Sequence, residues 1–492
     1  MKYNFTLVLI LLLAGVVSNG QDTFLDSTFG NNGIVTGEHF TTNAMALQND
    51  GKILVAGSKF DNFPDPIILR FNTDGTPDTS FGINGKVQFN LPNTEYFTDI
   101  IQLPDGRILA MGIRFIPGGG IIPNISKIMF MRFSENGTLD TSIGDQGMVL
   151  TAFGTERSDV KKMILLPDGK IMVSGSVPPG GMGISRPALA RFNADFTLDT
   201  TFNGTGYKVM PTLIGSFSTM DIDGQGRIVT ASSVNGTIAN ILRFLPNGQA
   251  DASFGINGLA TVTHGASQCF PSEIRAAADG KILICGSLKT GVRSAFTLRL
   301  LPDGTPDNTF GDAGVFKLVN SSGEDEVAVR MLQLSNGKII NGLRRYTASF
   351  DFGLAFIDAN GILDTTLGLQ GEVTTMLDNH QYMYCMVQQP DGKVLAVGND
   401  TANMVLVRYD IQEALSQVDF AKGKLSVYPN PASDKVTVVG LPEGTVVSLY
   451  NVSGQKLLEV ATNSDTPIDI SSLAKGMYFL NTGKGSAKII KK

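Results

Sequence analysis

A turn flanked by two apolar runs recurs seven times along this chain, and that recurrence limits its possible folds more than any other feature. The first copy reads Leu47-Gln48-Asn49-Asp50-Gly51-Lys52-Ile53-Leu54-Val55-Ala56-Gly57. The turn glycines are Gly51, Gly106, Gly169, Gly226, Gly280, Gly337 and Gly392, so successive spacings are 55, 63, 57, 54, 57 and 55 residues. A period of this size marks a repeat architecture, in which one unit cannot bury its apolar face alone. The copies fill most of the 492 residues, which predicts one large repeat domain and one small one. With 56 glycines, no tryptophan and 17% charged residues, the composition suits short strands joined by tight turns. The net charge of −6 leaves no basic footprint for nucleic acid.

Each repeat carries two signals. The first is a hairpin, with turns such as Pro104-Asp105-Gly106 and Pro390-Asp391-Gly392. Pro presets φ, Asp bonds its own backbone, and Gly takes the left-handed closing position. The second is a strand followed by an aspartate-led bend, clearest in Ile68-Leu69-Arg70-Phe71 and Asp78-Thr79-Ser80-Phe81-Gly82. A short strand such as Lys86-Val87-Gln88-Phe89 follows, making four strands per repeat. The strands are near-continuously apolar, so both faces of each small sheet should be buried against neighbouring sheets.

The two ends of the repeat region decide between a stack and a ring. The seventh copy has its hairpin and third strand (Met404 to Tyr409) but no bend or fourth strand. Those parts stand at the front, as Leu25-Asp26-Ser27-Thr28-Phe29-Gly30 and Gly33-Ile34-Val35-Thr36. An open solenoid would need capping repeats; a ring completed by the N-terminal strand leaves no spare end. The predicted fold is all-β, a seven-bladed β-propeller over residues 21–410 closed by the N-terminal strand.

The hairpin together with the Leu-Asp-x-Thr-Phe-Gly bend resembles the delta-60 repeat family of bacterial extracellular proteins. Leu25 to Gly30, Leu198 to Phe202 and Leu363 to Gly368 carry it, with Ile143 and Leu367 replacing Phe and Asn203 replacing Gly. The resemblance implies a propeller-like fold and a surface or secreted location, and no agreed ligand.

Arg70, Arg132, Arg191, Arg243, Arg299 and Arg408 share one position of the third strand, where the sixth copy has Phe356. Asp26, Asp78, Asp140, Asp199, Asp251, Asp307 and Asp364 share one position of the bend. A ring of arginines facing a ligand is one reading. Pairing of each Arg with a bend Asp is the other, and repetition in nearly every copy favours it, because a buried unpaired charge is costly. It predicts that Arg408 meets Asp26.

Both ends of the chain read as addresses. Lys2, the apolar run Phe5 to Val17 and Ser18-Asn19-Gly20 form an export signal over 1–20, with cleavage before Gln21. No Cys follows that site, so lipid anchoring is not expected, and no segment of the mature chain is expected to cross a membrane. A linker spans 411–423, and a new module occupies 424–492. Its seven short apolar runs read as an antiparallel β-sandwich. Tyr428-Pro429-Asn430-Pro431, Leu449 to Gly454, Leu473 to Tyr478 and the basic ending Lys488 to Lys492 resemble the type A sorting domain of the type IX secretion system of Bacteroidota. That resemblance implies the secretion machinery as partner, passage through the periplasm and outer membrane, and removal of the module near the linker. An immunoglobulin-like adhesion module is the alternative.

No chemistry is legible, and no catalytic, cofactor-binding or metal residues are assigned; no cofactor is expected. His39, His264 and His380 lie in comparable loops on different repeats, too few and too dispersed for a metal site. Asp221-Ile222-Asp223-Gly224-Gln225 imitates a calcium loop but has Ser232 at the twelfth position. Asp199-Thr200-Thr201 and Asp364-Thr365-Thr366 resemble Bacteroidota O-glycosylation acceptors, yet they are the repeat bend itself. Cys269, Cys285 and Cys385 read as three buried thiols. The long loops Ile113 to Lys127 and Ser176 to Arg186 are where a binding surface would form. The predicted function is an exported propeller that binds an unknown extracellular ligand, with carbohydrate or a cell-envelope partner suggested by location alone. A hydrolase or lyase at the channel mouth is the alternative, and a purely structural surface protein a third.

Overall fold

The structure is a computed structural model. It describes residues 24–412 and 426–492, apart from 61–62, 119–124, 155–156, 179–184, 212, 214, 235–237, 263–267, 320–324, 347–350, 376, 378–381, 401–402, 440–443, 452–455, 463–465 and 483–485. The export signal, His264, His380 and most of the linker lie outside the described residues. The chain divides into two compact units, the first ending at Leu415 and the second starting at Ser416.

The first unit holds seven four-stranded antiparallel sheets among the described residues. Six are made of consecutive strands, as in Thr41–Leu47, Ile53–Phe60, Pro64–Phe71 and Lys86–Gln88. The first strands of the next five are Thr94–Gln102, Asp159–Leu165, Thr219–Ile222, Gln268–Ala276 and Glu326–Gln333. The seventh takes Tyr382–Gln388, Val394–Asn399 and Met404–Tyr409, and its fourth strand is Ile34–Thr36 from the front of the chain. Val35 stands opposite Leu406 in that pairing. Third strands are buried almost throughout, as Met404–Tyr409 is at every position.

Apolar cores lie between sheets. One joins Met45, Val55, Ile67 and Leu69 of the first sheet to Leu395, Val397, Met404 and Leu406 of the seventh, with Phe29 among them. Another joins Met172, Leu189 and Phe202 of the third to Met220, Ile228 and Leu242 of the fourth. Six of the first strands carry a bulge at the same place, for example between Thr42 and Ala44. The bulge crowds the residue opposite. A Cβ on Gly57 would stand 1.9 Å from Thr41 O, and Gly112, Gly175, Gly286 and Gly398 are placed alike. Steric crowding therefore accounts for the glycine that ends the repeated motif.

Two expectations change in detail. The strands Ile108–Ile116 and Ile125–Phe133 run well into the segment read as a long loop, and Ile171–Val177 and Arg186–Phe192 shorten the other. In the first of these, hairpin pairing continues from Ile113–Ile128 to Ile116–Ile125. Cys269 and Cys285 are buried free thiols, whereas Cys385 is only half-buried. It lies on a first strand just past the bulge, where among the described residues no further strand covers the sheet edge.

Among its described residues the second unit has seven strands in sheets of three and four. Its core contains Ala432, Val436, Val438, Val447, Leu449, Ile468, Ile470, Tyr478, Leu480 and Ile489. Those positions alternate along Thr445–Asn451 and Gly476–Asn481, as expected for a sandwich with one face of each sheet inward.

Candidate functional site

At the turn end of each sheet, where the hairpin turn and the bend meet, the recurrent charges form a clamp. Arg70 Nε donates to Asp78 Oδ2 at 2.7 Å, and its Nη1 donates to Glu135 O of the next sheet. The guanidinium lies 4.5 Å from the Phe81 ring centroid, and Lys52 Nζ is 3.1 Å from the same Asp78 oxygen. Arg191, Arg243, Arg299 and Arg408 pair likewise with Asp199, Asp251, Asp307 and Asp26. Their Nη1 atoms reach Pro246, Pro302, Ala359 and Thr73 carbonyls on the following sheet. In the sixth sheet, with Phe356 in place of Arg, Lys338 holds Asp364 at 3.0 Å. Burial opposes ionisation of Asp78, but Ser80, Lys52 and Arg70 outweigh it and hold the carboxyl at about 2. Charges engaged in this way are scaffold. Sequence reasoning found the Arg and the Asp but missed the second cation, although Lys or Arg follows every one of the seven turn glycines.

The first strands touch one another in chain order, and Tyr382–Gln388 touches Thr41–Leu47. Among the described residues each has one edge without a partner strand, so its backbone groups need other partners. Side chains of the preceding sheet supply several. Asn43 Nδ2 donates to Phe97 O at 2.7 Å, and Asp99 Oδ2 accepts from Met163 N at 2.7 Å. Asp221 Oδ2 accepts from Ala276 N at 2.9 Å, and Glu273 Oε2 from Met331 N at 2.5 Å. Arg275 also donates to Glu273, at 2.6 Å. The inner carboxylates thus join one sheet to the next. Burial raises the Asp221 carboxyl above its ordinary range.

Side chains that depart from the repeat gather at the opposite, loop end. Arg344 lies over two tyrosines of the next sheet, 5.1 Å from the Tyr382 centroid and 5.2 Å from that of Tyr384. Its Nη2 donates to Met383 O at 3.1 Å. Burial raises the Tyr384 hydroxyl, with Tyr382 and Tyr346 close enough to add to the effect and Arg344 opposing it. Two acid–base pairs occupy matching registers, Glu95–Arg114 at 3.1 Å and Glu326–Arg345 at 3.0 Å. Glu95 is fully buried, and burial pushes its carboxyl up despite Arg114. Beside Arg114 a cleft of about 750 Å³ opens among Phe89, Met131, Leu139, Met148 and Leu150. Sequence reasoning missed the tyrosine–arginine group; its signal is Arg344-Arg345, standing where the first copy has Ser58-Lys59.

The other candidates weighed in sequence, where described, are not brought together. His39 is exposed on the connection before Thr41–Leu47. Asp223 accepts from Gln225 N, Arg227 N and Arg227 Nε, as a turn residue does. The Thr201 hydroxyl donates to Asp199 and accepts from Arg191, inside a clamp. Among the described residues no three His, Cys, Asp or Glu side chains stand together as metal ligands, and no helix is long and apolar enough to cross a membrane.

Comparison with known families agrees with this architecture. Residues 48–81, 166–202 and 277–310 match the family described as a domain of unknown function (DUF5122) beta-propeller. Residues 426–492 match the secretion system C-terminal sorting domain. The chain is therefore an exported propeller protein, secreted or held at the cell surface by way of the outer membrane.

Among individual proteins, it is 25% identical over 225 residues to beta-agarase A of Zobellia galactanivorans, covering 44% of this chain and 37% of that protein. It thus spans little more than a third of that relative. Sqt1 of Chaetomium thermophilum, bound to the N-terminus of ribosomal protein L10, is similar at 11% identity and a TM-score of 0.42. That match covers 80% of this chain and 100% of the other. An ulvan lyase of polysaccharide lyase family PL25 is similar at 11% identity and a TM-score of 0.42, covering 77% and 97%.

Proposed function

We propose that residues 21–410 form a seven-bladed β-propeller, closed by the N-terminal strand, that binds an extracellular carbohydrate at the loop end of its channel. An export signal over 1–20, a linker over 411–423 and a type IX sorting domain over 424–492 complete the chain. Ring closure is supported by the Val35–Leu406 pairing and by the core shared between first and seventh sheets. The observation that carries the binding reading is a division of labour. The repeated charges are consumed in clamps at one end, while Arg344 and Tyr384, which depart from the repeat, meet beside Tyr382 at the other. Binding sites sit on loops held by a rigid scaffold. The agar-directed name of the partial relative supports a sugar as ligand.

Two measurements test this. Deleting residues 424–492 should trap the chain inside the cell, and its undiminished appearance in the medium or on the surface would refute the sorting role. The secreted protein should be retarded in gels containing at least one polysaccharide; no retardation by any would refute the sugar. The competing reading is a hydrolase or lyase at the channel mouth. It predicts new reducing ends or unsaturated products from the retained polysaccharide.

A further inference from the structure

Resting on the carbohydrate reading, the geometry points to an acidic polysaccharide, bearing carboxylate or sulfate, as the ligand of Arg344, Tyr382 and Tyr384. The repeat itself provides the comparison. Arg344 follows the residue opposite the bulge, a position held by Ser58, Ile113, Ser176, Ser287 and Asn399 in other sheets. Tyr384 is the bulge residue, where other sheets have Asn43, Thr98, Lys161, Ser272 and Val329. Neither identity is required by the fold, since the same backbone accepts Ser, Asn, Thr and Lys. Both departures occur where two adjacent sheets face each other.

The two side chains are also complementary to a charged sugar. The apolar C–H face of a pyranose stacks on an aromatic ring, and half-buried tyrosines present that ring with a polar rim. Guanidinium binds planar carboxylate and sulfate oxygens through paired N–H donors. Arg345, beside it in sequence, is already neutralised by Glu326 and Glu372. Arg344 has no such carboxylate among the described residues: Met383 O is its acceptor, and its buried Nε has none. Its guanidinium carbon lies 5.1 and 5.2 Å from the Tyr382 and Tyr384 ring centroids, so an anion bound to it would lie beside both rings. Asp325, whose backbone carbonyl accepts from Tyr346 N, also accepts from Arg293 N at its Oδ1, at 2.7 Å.

The test uses the secreted full chain in affinity gels carrying a polyuronate, a sulfated galactan or a neutral β-glucan. Retardation by one of the two acidic polymers, weakening as salt rises from about 50 to about 500 mM, is expected. Tyr384→Ala and Arg344→Gln should each weaken it about tenfold or more, while Thr98→Ala, at the equivalent bulge of the second sheet, should not. An unchanged urea midpoint certifies each variant; if Arg344→Gln fails to fold, Tyr384→Ala and Tyr382→Ala carry the test. Salt-insensitive binding of the neutral glucan alone would overturn the acidic ligand and leave the carbohydrate reading standing. Acidic-polymer binding untouched by the tyrosine variants would overturn the site. Absence of binding to all three overturns this inference and counts against the sugar.

Discussion

Phe196 and Ile143 share one apolar core, with the Phe and Gly places of the other interfaces exchanged between them. In five copies the bend carries Phe and the turn of the following sheet carries glycine at positive φ, a pairing seen in Phe29–Gly75, Phe81–Gly137, Phe202–Gly248, Phe254–Gly304 and Phe310–Gly361. A Cβ on each of those glycines would touch the phenylalanine ring. Between the second and third sheets the roles are exchanged. The bend has Ile143, and Phe196 takes the turn position at φ 67° within the same core.

The exchange predicts strong coupling. Phe196→Gly should cost about 3 kcal/mol from the cavity left behind, and Ile143→Phe about 1–3 kcal/mol from overpacking. The double variant should return to within about 1 kcal/mol of the parent, because it rebuilds the arrangement of the other five interfaces. Urea midpoints of the four proteins measure this, and simple additivity would show that the two side chains do not share one space.

Asp26 should matter more than Asp140. Arg408 and Lys393 both converge on one Asp26 oxygen, at 2.7 and 2.6 Å, with Asp26 and Arg408 buried and 382 residues apart. Asp26→Ala leaves both cations without their partner and should cost about 3–5 kcal/mol. Asp140→Ala, in a more exposed clamp, should cost about 1 kcal/mol. Chemical denaturation of the two variants gives the comparison.

Acid should loosen the propeller at a low and narrow pH. An unfolded aspartate titrates near about 3.9. Hydrogen bonds from Ser142, then Arg132, hold Asp140 at about 2, and Asp78 is held there against burial by Ser80, Lys52 and Arg70. Depressed carboxylates stabilise the fold above the unfolded value and cease to do so as pH falls through the folded one. Stability should therefore drop between about pH 4 and about pH 2. Glu95, Asp159 and Asp221, raised by burial, act in the opposite sense, since protonating them favours the fold. Melting followed by circular dichroism across this range should show a smaller acid loss for an Asp78→Asn, Asp140→Asn double variant.

Glycines of the motif should differ in kind. Gly112→Ala puts a Cβ 2.0 Å from Tyr96 O, which backbone cannot relieve cheaply, and should cost well over about 2 kcal/mol. Gly204→Ala meets nothing within 4 Å and carries only its positive φ of 76°, a cost of about 1 kcal/mol. Equal thermal shifts for the two would contradict the bulge as the reason for Gly112.

Sequence periodicity exposed the hairpins, the bend, the Arg–Asp clamp and the order of strands, because each is a local pattern repeated at a fixed interval. It even placed Asp26 beside Arg408, since the missing half of the last repeat had to be somewhere. The hairpin lysines were in view and went unread: Lys52 and Asp78 are linked only when the turn and the bend arrive at the same end of one sheet.

What the chain's order of residues determined alone was the all-β repeat and the address at its C-terminus. Tertiary structure decided which side chains come together across sheets: Phe196 and Ile143 in one core, Asp221 with the Ala276 backbone, Arg344 with Tyr382 and Tyr384. The reason is that such contacts depend on the bulge, the register and the face each residue takes. A one-residue shift in any of these sends a side chain to the other face, and no interval along the chain records it.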